Sequence, residues 1–369
     1  MSFQVVQSIS SRRIAIKACQ ITAARTVEIT DVPPPEAAGT GQVLLRVEAV
    51  AICGSDLHIY NSGTSGGEAL TEPMIPGHEV SAIVEGGDTS IPAGTRVAVD
   101  PAIPCMRCEF CVRGDHNLCP HHTFLGLPGW PGAMRERILH PSHLVLPVPE
   151  SMPVNVVPLL EPLSVAVHTA DLTHARAAQT VAVIGLGTIG LMVLQILRSM
   201  GCRVVGCDPV PERAAMAERL GPERVFNTRG EAAVEEILRW TDGRGVDLAI
   251  EVAGPNEAVR AAAEVAAPGA RVLVVGIQPD DQIAFRAATA RRKGLTIVMV
   301  RRARNTLGRA IELYRTDQVQ IDPLATNEFA LDQAADAFAH AAAYTRGAVR
   351  TIVRFGRHTG TSERRGGVQ

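Results

Sequence analysis

Between about 180 and 300 the apolar residues fall in short dense runs, each followed by an alanine- or leucine-rich stretch with helical period. VAVIGL precedes LMVLQILRSMG, CRVVGCD precedes PERAAMAERLG, VDLAIEVAG precedes NEAVRAAAEVAAPG, and ARVLVVGI follows. Apolar strands alternating with helices specify a parallel sheet covered on both faces. The first 150 residues have a different texture. Short β segments such as 42–50 (QVLLRVEAV), 80–84 and 96–99 are separated by Pro33-Pro34-Pro35 and Pro92-Ala93-Gly94, the punctuation of an irregular β-rich domain. Beyond Arg301 the pattern predicts helices at 306–314 and 331–344 and a closing strand at 349–355. The expected fold is α/β: a β-rich domain over 1–161 and 302–369, interrupted by a doubly wound Rossmann-type domain over 162–301. With 369 residues, the chain exceeds one ordinary core.

The run 181–197 carries no charge, but three glycines break it and Arg198 ends it. A strand, turn and buried helix account for it better than a membrane span. Its turn, Gly185-Leu186-Gly187-Thr188-Ile189-Gly190, is G-x-G-x-x-G between a predicted strand and a predicted helix. In that setting the glycines permit a tight turn and let backbone N–H groups approach a pyrophosphate. Asp208 ends the next strand, where a carboxylate accepts hydrogen bonds from an adenosine ribose and repels a 2′-phosphate, so NAD is preferred to NADP. Arg213 softens that preference, because a guanidinium can meet a 2′-phosphate.

Four of the eight cysteines, Cys105, Cys108, Cys111 and Cys119, fall within fifteen residues at C-x2-C-x2-C-x7-C spacing. Four thiolates close a tetrahedral zinc shell, which makes such a site structural. The late, single fourth cysteine fits an iron–sulfur run less well. A second set is dispersed: Cys53 after a strand, His78 after a proline-bounded turn, and Glu161, a carboxylate in the apolar stretch Leu159-Leu160-Glu161-Pro162-Leu163. A buried unpaired charge is costly, and Cys/His/Glu with one position open is the layout of a catalytic zinc.

Charge adds exclusions. With 36 basic and 38 acidic residues the net charge is −2, so no field favours nucleic acid or an anionic membrane. The N-terminal residues lack the apolar core of a signal peptide, and metal-binding thiolates suit a reducing compartment, so a cytoplasmic location is expected. The tail from Arg357, polar and glycine-rich, is expected to be disordered.

In order and spacing, CGSDLH, GHE, the four-cysteine loop, EPLSVAVH and GLGTIG resemble the zinc-dependent medium-chain alcohol dehydrogenases over about residues 15–355. Glu161, where simple alcohol dehydrogenases carry cysteine, and Arg302-x-x-Asn305-Thr306 resemble the polyol (sorbitol-type) branch. The resemblance implies a GroES-like catalytic domain, one catalytic and one structural zinc per chain, NAD, and a dimer or more commonly a tetramer. It makes Cys53, His78, Glu79 and Glu161 the carboxylate and soft ligands of the catalytic metal or holders of its water, with Asp56 orienting His78. Ser55 would take the alcohol proton and pass it through the cofactor ribose towards His58. Gly185, Gly187, Thr188, Ile189, Gly190, Asp208, Arg213, Val275, Gly276, Ile277, Val300 and Arg301 match cofactor contacts, and Arg302 a substrate contact. Two aromatic side chains of the polyol branch are replaced here by Ile59 and Ala303, which implies a wider pocket suited to a cyclic polyol or sugar derivative. His58-Ile59-Tyr60-Asn61 also resembles threonine-type dehydrogenases, and a catalytically silent binding protein is the non-enzymatic alternative.

Overall fold

The computed structural model describes residues 15–65, 68–279, 281–343 and 348–356. The first fourteen residues, the polar tail from 357 and the end of the 331–344 segment lie outside them.

The strand Gln42–Ala51 organises the β-rich part. Its side chains alternate in burial up to Val47, and the last three, Ala49, Val50 and Ala51, are all buried, because a second layer covers that end. One edge pairs antiparallel with Glu79–Gly87. The other pairs with Arg137–Pro141 over its first half and with Arg350–Arg354 over its last residues. Arg96–Val99, Val145–Pro147 and Ala325–Ala330 complete a seven-stranded sheet. The register matters for chemistry. Ala51 lies opposite both Glu79 and Ile352, so Cys53, His78 and Arg350, each within two residues of these positions, arrive at one end of the sheet.

The second sheet is wholly parallel, in the order Arg224–Phe226, Arg203–Cys207, Thr180–Ile184, Val246–Glu251, Ala266–Val274, Thr296–Met299. Strand order reverses beside Thr180–Ile184, and the glycine turn leaves that strand, so the turn sits at the switch point where such sheets bind ligands. The apolar run 181–197 resolves into this strand and the helix Thr188–Ser199. No helix among the described residues is long and apolar enough to cross a membrane.

One expectation shifts. The alanine-rich stretch beginning at Asn256 reads as a helix running to Gly269, but the helix stops at Val265 and Ala266–Val274 is already strand. Proline cannot continue a helix and disfavours helical backbone just before it; pairing of Ala266 with Val246 takes over. The C-terminal elements agree closely with the pattern: helices Leu307–Arg315 and Ala334–Ala342, then strand Arg350–Arg354.

The helix Leu160–Thr173 joins the two sheets. It is buried almost all round, with Leu163, Ala166, Val167 and Ala170 in a core shared with Leu191, Leu194, Leu307 and Ala310. A helix apolar on every side belongs between layers. Glu161 therefore enters the molecular interior on its first turn, and the partition expected at 161/162 falls inside this helix.

Candidate active site and the four-cysteine lobe

The sulfurs of Cys105, Cys108, Cys111 and Cys119 lie within 4.8 Å of one another, on a lobe built from one short helix, Glu109–Val112, and a 3-10 turn. Backbone N–H groups of Arg107 and Cys108 aim at Cys105 and lower its thiol pKa to about 6, whereas burial pushes Cys111 up to about 12. Four sulfurs packed this closely ionise together only around a cation that offsets their mutual repulsion, so this donor set fits zinc. All eight cysteines are free.

The second cluster is assembled across the fold. Donor atoms of Cys53, His78 and Glu79 also lie within 4.8 Å of one another. Asp56, expected to orient the His78 ring, lies beside its Nδ1 and also grips the backbone. Its carboxylate accepts hydrogen bonds from the backbone N–H of Cys53 (2.9 Å) and of Gly77 (3.2 Å), while His78 Nδ1 stays 3.7 Å away without a hydrogen-bond partner. Asp56 thus ties together the two chain segments that carry Cys53 and His78. Glu79 is fully buried, and burial raises its pKa well above the ordinary range; Arg350 opposes this from 2.8 Å, off the N–H direction, so both Glu79 oxygens remain without a hydrogen bond. Glu161 stands beside this group, not within it. Burial raises its pKa to about 8, with His78 lowering and Glu79 raising it. Cys53, His78 and Glu79 offer three donors, a thiol, an imidazole and a buried carboxyl, which fit zinc with one position to spare and Glu161 beside it.

Ser55 and His58 sit on the first turns of the helix Gly54–Ser62, three residues apart and hence on one face. Ser55 is half-buried and His58 exposed, a gradation from cleft to solvent.

At the glycine turn each glycine has its own reason. Gly185 adopts φ +100° and its missing side chain would strike Ala253; a methyl on Gly190 would stand 2.0 Å from the carbonyl oxygen of Gly185; Gly187 faces open space. That open face, at the start of the helix Thr188–Ser199, is a cradle for a phosphate. Asp208 accepts from the N–H of Leu186 (2.8 Å) and Val210 (2.9 Å), with Arg213 at 3.7 Å. Thr188, expected at the cofactor, donates its hydroxyl to the carbonyl of Val349 at 3.1 Å. Val275, Gly276 and Val300 are half-buried and Ile277 and Arg301 exposed, with Gly276 closely packed on Gly254.

The family pattern described as "Alcohol dehydrogenase GroES-like domain" matches residues 39–150, and "Zinc-binding dehydrogenase" matches 188–316. A sorbitol dehydrogenase of Bacillus subtilis is 32% identical over 342 residues, 92% of this chain and 97% of its own. The chain belongs to the zinc-type alcohol dehydrogenases, in their sorbitol-dehydrogenase-like branch. An L-idonate 5-dehydrogenase of Vitis vinifera is 32% identical over 304 residues, 80% of this chain and 82% of its own. Among solved structures, an Escherichia coli oxidoreductase of unknown specificity superposes with a TM-score of 0.87 at 26% identity, covering 93% of this chain and all of that one.

This zinc-type alcohol dehydrogenase is an enzyme acting on CH–OH, with zinc and a nicotinamide dinucleotide as cofactors and a small-molecule alcohol as substrate. Its polar site continues beyond the metal ligands. Arg302 has left-handed backbone, φ 54°, uncommon for a residue with a side chain. Its guanidinium lies 4.0 Å over the ring of Phe124, whose other neighbour is His78, ring centroids 5.2 Å apart. Burial lowers its pKa to about 10, Arg301 adds to this and Glu161 opposes it; Nη1 is buried without a partner. Ala303 stays half-buried beside it, but Ile59 belongs to the apolar core with Tyr60 and Phe338. Of the two positions expected to widen the pocket, Ile59 turns into this core.

Sequence reasoning overlooked Arg350 and Phe124. Arg350 is buried, donates to the Ile52 carbonyl at 2.9 Å and ion-pairs with Glu79. Burial alone would depress its guanidinium, but Glu79, Cys53, Glu161 and Asp56 together hold it above its ordinary value. The signal was the one used for Glu161: a charge within the apolar strand 349–355. Phe124 carried no signal, since an aromatic after a metal loop reads as packing.

Proposed function

We propose that this dehydrogenase transfers hydride between NAD and a secondary alcohol of a polyol, cyclitol or sugar derivative, interconverting alcohol and ketone. The observation that carries the reading is Arg302 Nη1, a buried donor without a partner, beside the buried Glu161 carboxyl. Leaving such a donor unpaired costs about 1–3 kcal/mol, recovered only by a substrate that offers oxygen to it. The sorbitol and L-idonate relatives are in keeping with this class.

Cys53, His78 and Glu79 would hold the catalytic zinc, with Glu161 beside it and Arg350 neutralising Glu79; the four cysteines would hold the structural one. Bound zinc supplies Lewis acidity at the alcohol oxygen and bound NAD+ accepts the hydride. Ser55 Oγ accepts the hydroxyl proton while giving up its own towards His58, which stands exposed one turn on and releases a proton to solvent. Arg302 and Glu161 fix neighbouring hydroxyls so that one carbon faces the nicotinamide. Asp208, with Leu186 and Val210 bound to it, disfavours a 2′-phosphate. The division of the chain at 161/162 and 301/302 into catalytic and cofactor parts, a cytoplasmic location and a homo-oligomer belong to the same reading.

A second reading has one observation in its favour: Arg302 and Glu161 also match the carboxylate and ammonium of a 3-hydroxy amino acid. A screen of NAD+ reduction with cyclitols, branched and linear polyols, threonine, 2-butanol and ethanol separates them. Polyols ahead of 2-butanol, and NAD ahead of NADP, are expected; threonine alone, or simple alcohols alone, refutes the proposal.

A further inference from the structure

The four-cysteine lobe touches the segment that carries Arg302 at three points. Asn117, buried between Leu118 and His116, donates from Nδ2 to the carbonyl of Arg301 at 3.0 Å and lies 3.4 Å from His168 Nε2. Asp115 pairs with Arg304 at 2.9 Å. His122, whose Nδ1 is 2.7 Å from the carbonyl of Cys119, brings Nε2 to 3.4 Å from Arg301 Nη2. Residues on both sides of Arg302 are therefore held from the lobe. On the far side Thr306 donates to the carbonyl of Ser164 at 2.6 Å, on the helix that carries Glu161. Within this frame Arg302 keeps left-handed backbone, φ 54°, which persists in a residue with a long side chain only when surroundings enforce it.

We infer that the lobe is a specificity device: Asn117 is a positioning residue that, with the Asp115–Arg304 pair, holds Arg302 in the conformation that presents its guanidinium to substrate hydroxyls. The inference rests on the substrate role proposed for Arg302. A structural metal in the lobe then has a consequence at the substrate, because it holds Asn117 two residues from Cys119.

The test uses the zinc-loaded enzyme and its Asn117→Ala, Asn117→Asp, Arg304→Gln, Arg304→Lys and Arg302→Ala variants. KM and kcat are measured for the best of sorbitol, xylitol and myo-inositol and for 2-butanol. Asn117→Ala and Asn117→Asp should raise the polyol KM about tenfold with kcat little changed, since misplacement of a positioning group costs on this scale. 2-Butanol kinetics at saturating NAD+ should not move. Arg304→Gln should give a smaller effect in the same direction, restored in Arg304→Lys, and it guards against loss of folding in the Asn117 variants. Hydrogen exchange at 301–305 should accelerate in Asn117→Ala. If Arg302→Ala abolishes the preference for polyol over 2-butanol while the Asn117 variants keep it, this inference alone fails. If Arg302→Ala keeps the preference, the substrate role of Arg302 fails and the inference with it. Equal losses on both substrates in the Asn117 variants would also overturn it.

Discussion

The lobe and the cleft each gather metal-binding side chains within 4.8 Å, yet they are built in opposite ways. The lobe takes four identical donors from one fifteen-residue segment. The cleft takes different donors from separate elements: Cys53 before a helix, His78 and Glu79 at the start of a strand, with Glu161 and Arg350 contributed by two further elements. Local assembly gives a closed shell of like ligands. Long-range assembly leaves mismatched, buried, incompletely paired groups, the condition for binding something besides the metal. The cleft also needs a clamp that the lobe does not, and Asp56 supplies it by joining Cys53 to Gly77.

The strongest test of this contrast is Cys53→Ala. Loss of the cleft metal should lower kcat/KM by ~10³ or more, roughly 4 kcal/mol, while metal analysis still finds the lobe loaded and the fold intact. Two retained metals, or near-normal turnover, would break the assignment of chemistry to the cleft. Opening the lobe with Cys111→Ser should do the reverse. Releasing a loop of about fifteen residues costs about 3 kcal/mol on the scale of a lost crosslink, read as a lower denaturant midpoint, with turnover of 2-butanol per folded molecule retained.

Asp56→Asn sharpens the comparison further. The side chain keeps its size but loses the charge that grips two backbone N–H groups, so cleft-metal affinity should fall roughly 10–100-fold, while chelator competition shows an unchanged lobe. Equal weakening of both sites would mean that Asp56 acts through the fold as a whole. The smallest effect comes from the framework beneath both sites. His140, on the strand paired with Gln42–Ala51, is fully buried against the Asp100 carbonyl, and burial lowers its pKa to about 4. The unfolded chain therefore binds the proton more readily, so this contribution is complete above the unfolded pKa of 6.5 and is lost as pH falls from there towards 4. Between pH 7 and 5.5 the loss is about 1 kcal/mol, and His140→Gln should flatten the stability profile over that window; an unchanged slope would contradict it.

Legibility in the sequence followed the same division. The lobe could be read outright, because its donors are near neighbours in the chain. The glycine turn was equally plain, strand, turn and helix being local features, and Asp208 followed from its place at the next strand's end. Glu161 was legible as a charge among apolar residues, although the tight group around Cys53 takes Glu79 and leaves Glu161 beside it. Arg350 emitted the same signal from the last strand. Asp56 was noticed for its contact with the His78 ring, 3.7 Å away, but nothing in CGSDLH shows that the same carboxylate also grips two backbone N–H groups. Ile59 failed in the other direction: adjacency to the site in sequence placed it at a pocket wall, while its side chain turns into the core.

By itself the sequence determined the parallel sheet, the β-rich frame, the four-thiol lobe and the phosphate-binding turn, because each depends on periodicity or spacing within some thirty residues. Tertiary structure alone decided which dispersed charges meet. The pairing of Ala51 with Glu79 and Ile352 brings Cys53, Glu79 and Arg350 together, with Arg350 bonding the Ile52 carbonyl across 298 positions. It also decided that the lobe reaches the residues on either side of Arg302. Registers between strands and the docking of a lobe on a loop arise from packing over long separations, where every contact depends on all the others, and no local pattern records them.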